Sequence, residues 1–525
     1  MMTMTLRRFL CVLLSALLLA AGWIGVSGLP LLAALVPLLW ISFTYGASRR
    51  DWWRMFGWAW LAFALWNGLT IWGLWYSTPV GPFAATLAST FLNLLAFMLY
   101  HTVSKRAHKA LAYTLLVSGW IATEYWYTVG EFSFPWLLFG NGFAAEPWAV
   151  QWYEYTGLFG GTLWVLLCNL FLFEAWQHRR ALRYWVRAAL VLLLPLVVSL
   201  TVYSCWQEPQ RHLAAAVIQP NVDCYDKFNT SPDGQRENLL SLLSEVPDSV
   251  QLIAMPETAL VEGINESYLS ASPSVQQLVA ALSADHPRAL LVVGADTYKI
   301  YPAGARTSTA RYRNGIWYDR FNTALALDAE GVQGVHHKSR LVIGVEKMPL
   351  PWLFRWLSFL VIDLGGTTGQ LGVDTQRTVF STDAVPAVAP AVCYESVYGA
   401  YVGEFVRNGA QLLLVITNDG WWDDTAIHRQ HFSYSRLRAI EHRRAVVRSA
   451  NTGISGFINA RGDVVGETLG WEKRGVLVRS VALEERQTFY TRYGDYLGRI
   501  AEYVLLLGVL YFIAYRVKRR NHLVD

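Results

Sequence analysis

Three segments of the chain end an apolar run on a side chain able to do chemistry. "LIAMPET" delivers Glu257, "TALALDAEGVQGVHHKSR" delivers Lys338, and "AVAPAVCYES" delivers Cys393. A carboxylate, an ammonium and a thiol together suit nucleophilic acyl chemistry. With a pKa of ~8.5 a free thiol is barely ionised near neutral pH, so it needs a base within hydrogen-bond reach. Glu257 is the candidate base. Attack on a carbonyl puts negative charge on oxygen, and the Lys338 ammonium with the backbone N–H of Tyr394 are the candidate donors for it. Each residue alone has a plain structural alternative: Cys393 as a small core hydrophobe, Glu257 as a helix-start carboxylate, Lys338 as a solvated surface charge. Their shared position at strand ends favours a site, because strand ends are where α/β folds gather theirs.

The elements that must position them are short Val/Leu/Ile/Ala runs between residues 206 and 498. They include "LAAAVIQPN", "VQLIAMPET", "ALLVVGAD", "AVAPAVCYES" and "QLLLVITND". Near-continuous apolar runs of this length predict strands buried on both faces. Helical patterns over 234–245, 274–284 and 427–449 alternate with them, so the fold class is an α/β layered sandwich.

The rest of the chain answers to a different solvent. Of 525 residues 54% are hydrophobic, 24 are Trp and only 16% are charged, and the mean hydropathy is +0.26, which indicates a membrane protein. Apolar runs near 9–26, 29–46, 55–76, 81–102, 110–127, 157–176, 187–205 and 498–515 are expected to span the bilayer as eight helices. The expected division is a seven-helix membrane domain, 1–205, a catalytic domain, 206–498, and a final helix with its tail, 499–525. Lys and Arg crowd one set of flanks, as at Arg49, Arg50 and Arg54 and at Arg516, Lys518 and Arg519, whereas 128–156 contains neither. By the positive-inside rule both termini are cytoplasmic and 206–498 lies outside the cytoplasm. These flanks account for the net charge of +5, so no nucleic-acid partner is implied.

Other residues are candidates for supporting roles. Asn418, Asp419 and Trp421 follow a buried strand and either shape a pocket wall or form a turn. Glu441 and Arg438 are expected to pair, and Glu124, inside a span, should face the bundle interior or a lipid cleft unless it sits at the outer interface. His428, His431 and His442 share a helix face without convergent carboxylates, so no metal site is expected. Of five cysteines, Cys205 and Cys224 leave open a disulfide. The segment "PLPWLFRWLSFLV" repeats Leu353, Trp356, Leu357 and Leu360 at helical spacing around Arg355. It reads as an amphipathic lid in the outer leaflet, with a core helix as the alternative.

"MPET", "HHKSRLVIGVEKMP" and "AVCYES" resemble the Glu, Lys and Cys motifs of the nitrilase superfamily, the carbon–nitrogen hydrolases. Such a domain inserted before the last helix of a membrane bundle, with "FPWLLFGN", "ITNDGWW" and "NTGISGFINARG", is similar to the apolipoprotein N-acyltransferase family over nearly the whole chain. The resemblance implies an αββα sandwich on an eight-helix bundle, no cofactor, and catalytic residues at Glu257, Lys338 and Cys393. It further implies support from Glu346, Tyr394 and Glu395, and Phe228 at a position where relatives carry Trp. The implied reaction moves an acyl chain from a membrane phospholipid, through a Cys393 thioester, to the α-amine of a diacylglyceryl-cysteine on an apolipoprotein. The implied location is the bacterial inner membrane with the catalytic domain on the periplasmic side. A membrane-tethered amidase or nitrilase would use the same three residues, and a transporter or receptor would leave Cys393 in the core.

Overall fold

The computed structural model describes residues 3–229, 231–302, 304, 306–347 and 370–521. The expected lid, with Trp356 and Leu357, lies outside them. The chain separates into two units. One runs to Trp75, from Pro79 to Cys205 and from Tyr493 onward; the other holds Tyr76–Thr78 and Trp206–Arg492.

The first unit is helical. A helix falls in each of the expected apolar runs: Met4–Ala20, Val36–Phe43, Arg49–Ile71, Gly81–Ser104, Lys109–Val129, Leu158–Gln177, Leu182–Cys205 and Tyr496–Asn521. Among the described residues four of these are long and apolar enough to cross a membrane: Gly81–Ser104, Leu158–Gln177, Leu182–Cys205 and the helix from Tyr496. The run expected over 29–46 is broken instead, a 3₁₀ turn at Leu29–Ala33 preceding the eight-residue helix Val36–Phe43. Pro30 and Pro37 each stand in the first turn of one of these pieces, where a missing N–H costs nothing.

"FPWLLFGN" folds inward to a buried 3₁₀ turn, Phe139–Phe143. Glu124 is buried and holds that turn: it accepts from Phe139 N at 2.9 Å, Trp120 Nε1 at 3.1 Å and Thr162 Oγ1 at 2.6 Å. It faces the bundle interior. Every buried oxygen of this carboxylate therefore has a donor, as a polar group in such a place requires.

The second unit is built on two sheets. Its strands are β1 (His212–Gln219), β2 (Leu252–Ala254), β3 (Leu260–Asn265), β4 (Leu290–Tyr301), β5 (Arg311–Arg313), β6 (Ile316–Asp328), β7 (Gly331–His337), β8 (Val388–Val392), β9 (Leu412–Thr417), β10 (Val446–Ala450), β11 (Gly456–Ile458) and β12 (Gly475–Ala482). Among the described residues an eight-stranded sheet has the order β12-β1-β2-β4-β6-β5, with β3 beside β4 and β7 beside β6. The other is β11-β10-β9-β8. Alternate residues of β1, β2 and β4, such as Ala215, Leu252 and Val292, pack against Val392, Leu414 and Val447 from the second sheet. The opposite set, such as Ile218, Ile253 and Leu291, packs against helices Pro232–Leu243 and Pro273–Asp285. Burial on both faces explains the unbroken apolar runs.

Two expectations need correction. The helix expected over 427–449 stops at His442, and Val446–Ala450 is a strand. The chain turns at Arg443, whose left-handed φ of +51° lets it pass from helix Ala426–His442 into β10. The run leading to Lys338 is not one strand but the antiparallel pair β6–β7, joined after Asp328, whose Oδ1 accepts from Glu330 N and Gly331 N. All five cysteines are free thiols, Cys205 and Cys224 included.

Candidate active site

Cys393 directly follows β8 and opens the 3₁₀ turn Cys393–Val397. Its φ is +49°, a left-handed conformation costly for a residue with a side chain. Such strain persists only where the surroundings over-determine it, and it clusters at functional sites. Glu257 sits in the loop after β2, followed by Thr258 at φ +47°. That loop crosses β4 at Gly294, where an added Cβ would lie 2.4 Å from Thr258 N and 2.5 Å from Glu257 Cα. Only glycine admits so close an approach. Lys338 extends β7 by one residue, its N–H donating to the Asn322 carbonyl at 2.8 Å.

The side chains meet. Lys338 Nζ donates to Glu257 Oε1 and to Glu346 Oε1, both at 2.9 Å. Asn322 Nδ2 reaches the same two oxygens at 2.6 and 3.1 Å, and Asn418 N–H donates to Glu257 Oε2 at 3.0 Å. The Cys393 thiol lies beside the Glu257 carboxylate. Glu257, Lys338 and Cys393 are 5%, 1% and 6% exposed, so the site is nearly dry.

Charge follows from this arrangement. Burial alone would raise the Glu257 carboxyl, but Lys338 and the hydrogen bonds outweigh it and hold Glu257 below the usual carboxylate value. Burial pulls Lys338 down, yet the Glu257 and Glu346 carboxylates hold it well above the ordinary ammonium value. Burial first, and then the Glu257 charge, push the Cys393 thiol up. The resting site is therefore carboxylate, ammonium and neutral thiol.

Among the supporting candidates, Glu346 braces Lys338 and accepts from Val342 N at 2.8 Å. Glu395 is fully buried: Oε2 accepts from Val392 N at 2.9 Å and faces His336 Nε2 at 3.2 Å, while Oε1 accepts from Ser339 N at 2.7 Å and from the Tyr401 hydroxyl. Tyr394 is buried beside it. Asn418 reaches Glu257 through its backbone N–H, and Trp421 is set against Tyr225 at 5.6 Å. Phe228 is half-buried in the turn after Cys224.

Sequence reasoning missed Asn322 and Lys227. Asn322 and Thr323 are the polar pair ahead of the all-apolar run of β6, a visible signal; Lys227 had none. Its buried Nζ donates at 3.0 Å to both the Glu257 carbonyl and Thr258 Oγ1, fastening the strained turn. Arg438 and Glu441 pair at 2.7 Å. His431 pairs with Asp419 at 2.8 Å and His428 with Asp424 at 3.1 Å, so carboxylates do meet this helix face, contrary to the sequence reading.

Residues 214–490 match the family model for the carbon-nitrogen hydrolases, and residues 15–171 match that for the apolipoprotein N-acyltransferase N-terminal domain. A protein of Chlorobaculum tepidum named apolipoprotein N-acyltransferase is 31% identical over 537 residues, covering 98% of this chain and 97% of the relative. The chain belongs to the apolipoprotein N-acyltransferase family. Apolipoprotein N-acyltransferases of Geobacter metallireducens and Thermotoga maritima are 26% and 27% identical, covering 98% and 77% of this chain and 97% and 72% of their own length. A solved carbon-nitrogen hydrolase superfamily protein of Xanthomonas campestris, 16% identical, covers 52% of this chain and 91% of its own with a TM-score of 0.36. As an apolipoprotein N-acyltransferase family member the chain is an acyltransferase and a membrane protein.

Proposed function

We propose that the chain transfers an acyl group from a membrane phospholipid to the α-amine of an apolipoprotein's N-terminal diacylglyceryl-cysteine, through a thioester on Cys393. Cys393 Sγ attacks the ester carbonyl carbon while its proton passes to Glu257. The Lys338 ammonium and the Tyr394 N–H receive the oxyanion. The ester C–O bond breaks, and Glu257 returns the proton to the departing lysophospholipid oxygen. In the second half the amine attacks the thioester carbonyl and gives a proton to Glu257. The C–S bond then breaks and Sγ is reprotonated.

The observation that carries this reading is the 2.9 Å contact of Lys338 with Glu257, beside the Cys393 thiol, in a chain matched along nearly its whole length to an N-acyltransferase. Water competes with the amine for the thioester, and low exposure of all three groups favours transfer over hydrolysis. An amidase would use the same groups, but the match of residues 15–171 to the acyltransferase N-terminal domain favours the lipid substrate. The basic flanks favour an inner-membrane location with cytoplasmic termini and a periplasmic site. Mass spectrometry after incubation with phospholipid alone tests the reading: an acyl adduct on Cys393, discharged by a lipopeptide amine faster than by water, is expected. An unmodified Cys393 sinks it.

A further inference from the structure

Strands β4, β5 and β6 run on past the end of β3, whose pairing with β4 stops at Tyr298, and form an arm there. The Gly294 N–H donates to the Pro256 carbonyl at 3.1 Å, beside the catalytic loop, and β4 then runs on to Tyr301, paired with β6 as far as Tyr301 opposite Trp317. Three residues at ~3.3 Å each carry β4 about 10 Å past its pairing with β3, and seven carry it about 20 Å past Gly294. Its direction is informative. β2 is parallel to β4, and β7, like β4, is antiparallel to β6, so Glu257 and Lys338 leave the sheet from the end at which the arm projects.

The end of the arm is greasy and basic. Tyr312, Ile316 and Ile300 are 63%, 44% and 38% exposed. The Tyr312 and Trp317 rings lie 5.1 Å apart, and the Arg306 guanidinium stands 4.4 Å over Trp317. Residues 299–320 hold Lys299, Arg306, Arg311, Arg313 and Arg320 against one acid, Asp319. Arg320 is paired with Asp296, and Asp319 is buried, accepting from the Thr307 hydroxyl. Glu266 faces Lys299, Asp296 also faces Arg311, and Glu262 and Asp374 stand near Asp296 and Tyr301, so positive charge is in excess only at the outer residues Arg306 and Arg313. Exposed rings beside arginines suit a headgroup layer, where the rings settle at the acyl boundary and the cations reach phosphate.

We propose that this arm docks on an anionic phospholipid surface, Tyr312 and Ile316 entering the headgroup boundary while Arg306 and Arg313 pair with phosphate. With Glu257, Lys338 and Cys393 as the catalytic site proposed above, the arm holds the mouth of that site against the lipid it draws on.

The test places the photoreactive residue benzoylphenylalanine at Tyr312 in the full chain, reconstituted in phosphatidylglycerol or in phosphatidylcholine nanodiscs. Irradiation should yield a lipid adduct in phosphatidylglycerol. The pair Arg306→Ser and Arg313→Ser should lower the yield about five-fold for each arginine replaced, and neutral lipid should lower it likewise. Equal yields in both lipids, an adduct only to an added lipopeptide's protein portion, or no adduct would overturn the proposal. Cys393 acylation from detergent-dispersed phospholipid, followed in the same preparations, reports on the catalytic reading separately. Its presence without a lipid crosslink condemns the arm alone, and its absence with a crosslink condemns the catalytic reading alone.

Discussion

Glu395 Oε1 accepts the Ser339 N–H at 2.7 Å, tying the residue after Lys338 to the turn that carries Cys393. Its other oxygen takes the Val392 N–H at 2.9 Å, on the residue before Cys393. One buried carboxylate thus sets the spacing of Cys393 and Lys338. Glu395→Gln replaces an acceptor with a donor and leaves a buried N–H unmet, a cost of about 1–3 kcal/mol. The expected result is a loss in kcat/KM of roughly 5- to 150-fold in a chain that still folds, read by acyl-transfer kinetics. Unchanged kinetics would count against the coupling.

The Glu257 loop is held from two other sides. Lys227→Met removes both donors that fasten it, at the Glu257 carbonyl and at Thr258 Oγ1. Acylation of Cys393 should slow by about 10- to 100-fold, taking ~1.5–3 kcal/mol for hydrogen bonds to a charged group. Rapid-quench measurement of acyl-enzyme formation checks it, and Lys227→Arg should recover part of the rate.

Gly294→Ala tests the same loop sterically. The new methyl would lie 2.5 Å from the Pro256 carbonyl and from Glu257 Cα, both backbone atoms, so the loop must shift. About 1–3 kcal/mol of stability should go, together with most acylation. Thermal unfolding and the Cys393 adduct give the two readouts.

A pH effect follows from His337. Burial lowers its pKa, but Asp374 at 3.0 Å and Glu266 at 2.6 Å more than reverse this, raising it to about 9. The unfolded value is ~6.5. The clasp therefore contributes fully below pH ~6.5 and fades as pH rises through about 9, on the order of 3 kcal/mol in all. The melting-temperature gap between the native chain and His337→Gln should be wide at pH 6 and narrow at pH 10. A constant gap would refute the assignment.

What the sequence disclosed depended on whether local pattern carried the information. Strand ends delivering Glu257, Lys338 and Cys393 were readable, because buried strands are continuous apolar runs and a polar residue stopping such a run stands out. The end of helix Ala426–His442 was not, because "RRAVVRSA" continues a helical spacing and only the left-handed turn at Arg443 breaks it. Lys227 was invisible for another reason. A lysine in a polar loop reads as solvated until the fold buries it against a residue thirty positions away.

The left-handed backbone at Cys393 sets a trap for anyone improving this protein. Glycine adopts that conformation without steric cost, so Cys393→Gly should relieve the turn while deleting the thiol that the proposed thioester requires. Screens that reward only yield or heat resistance would then enrich dead variants, and any such campaign must score turnover alongside.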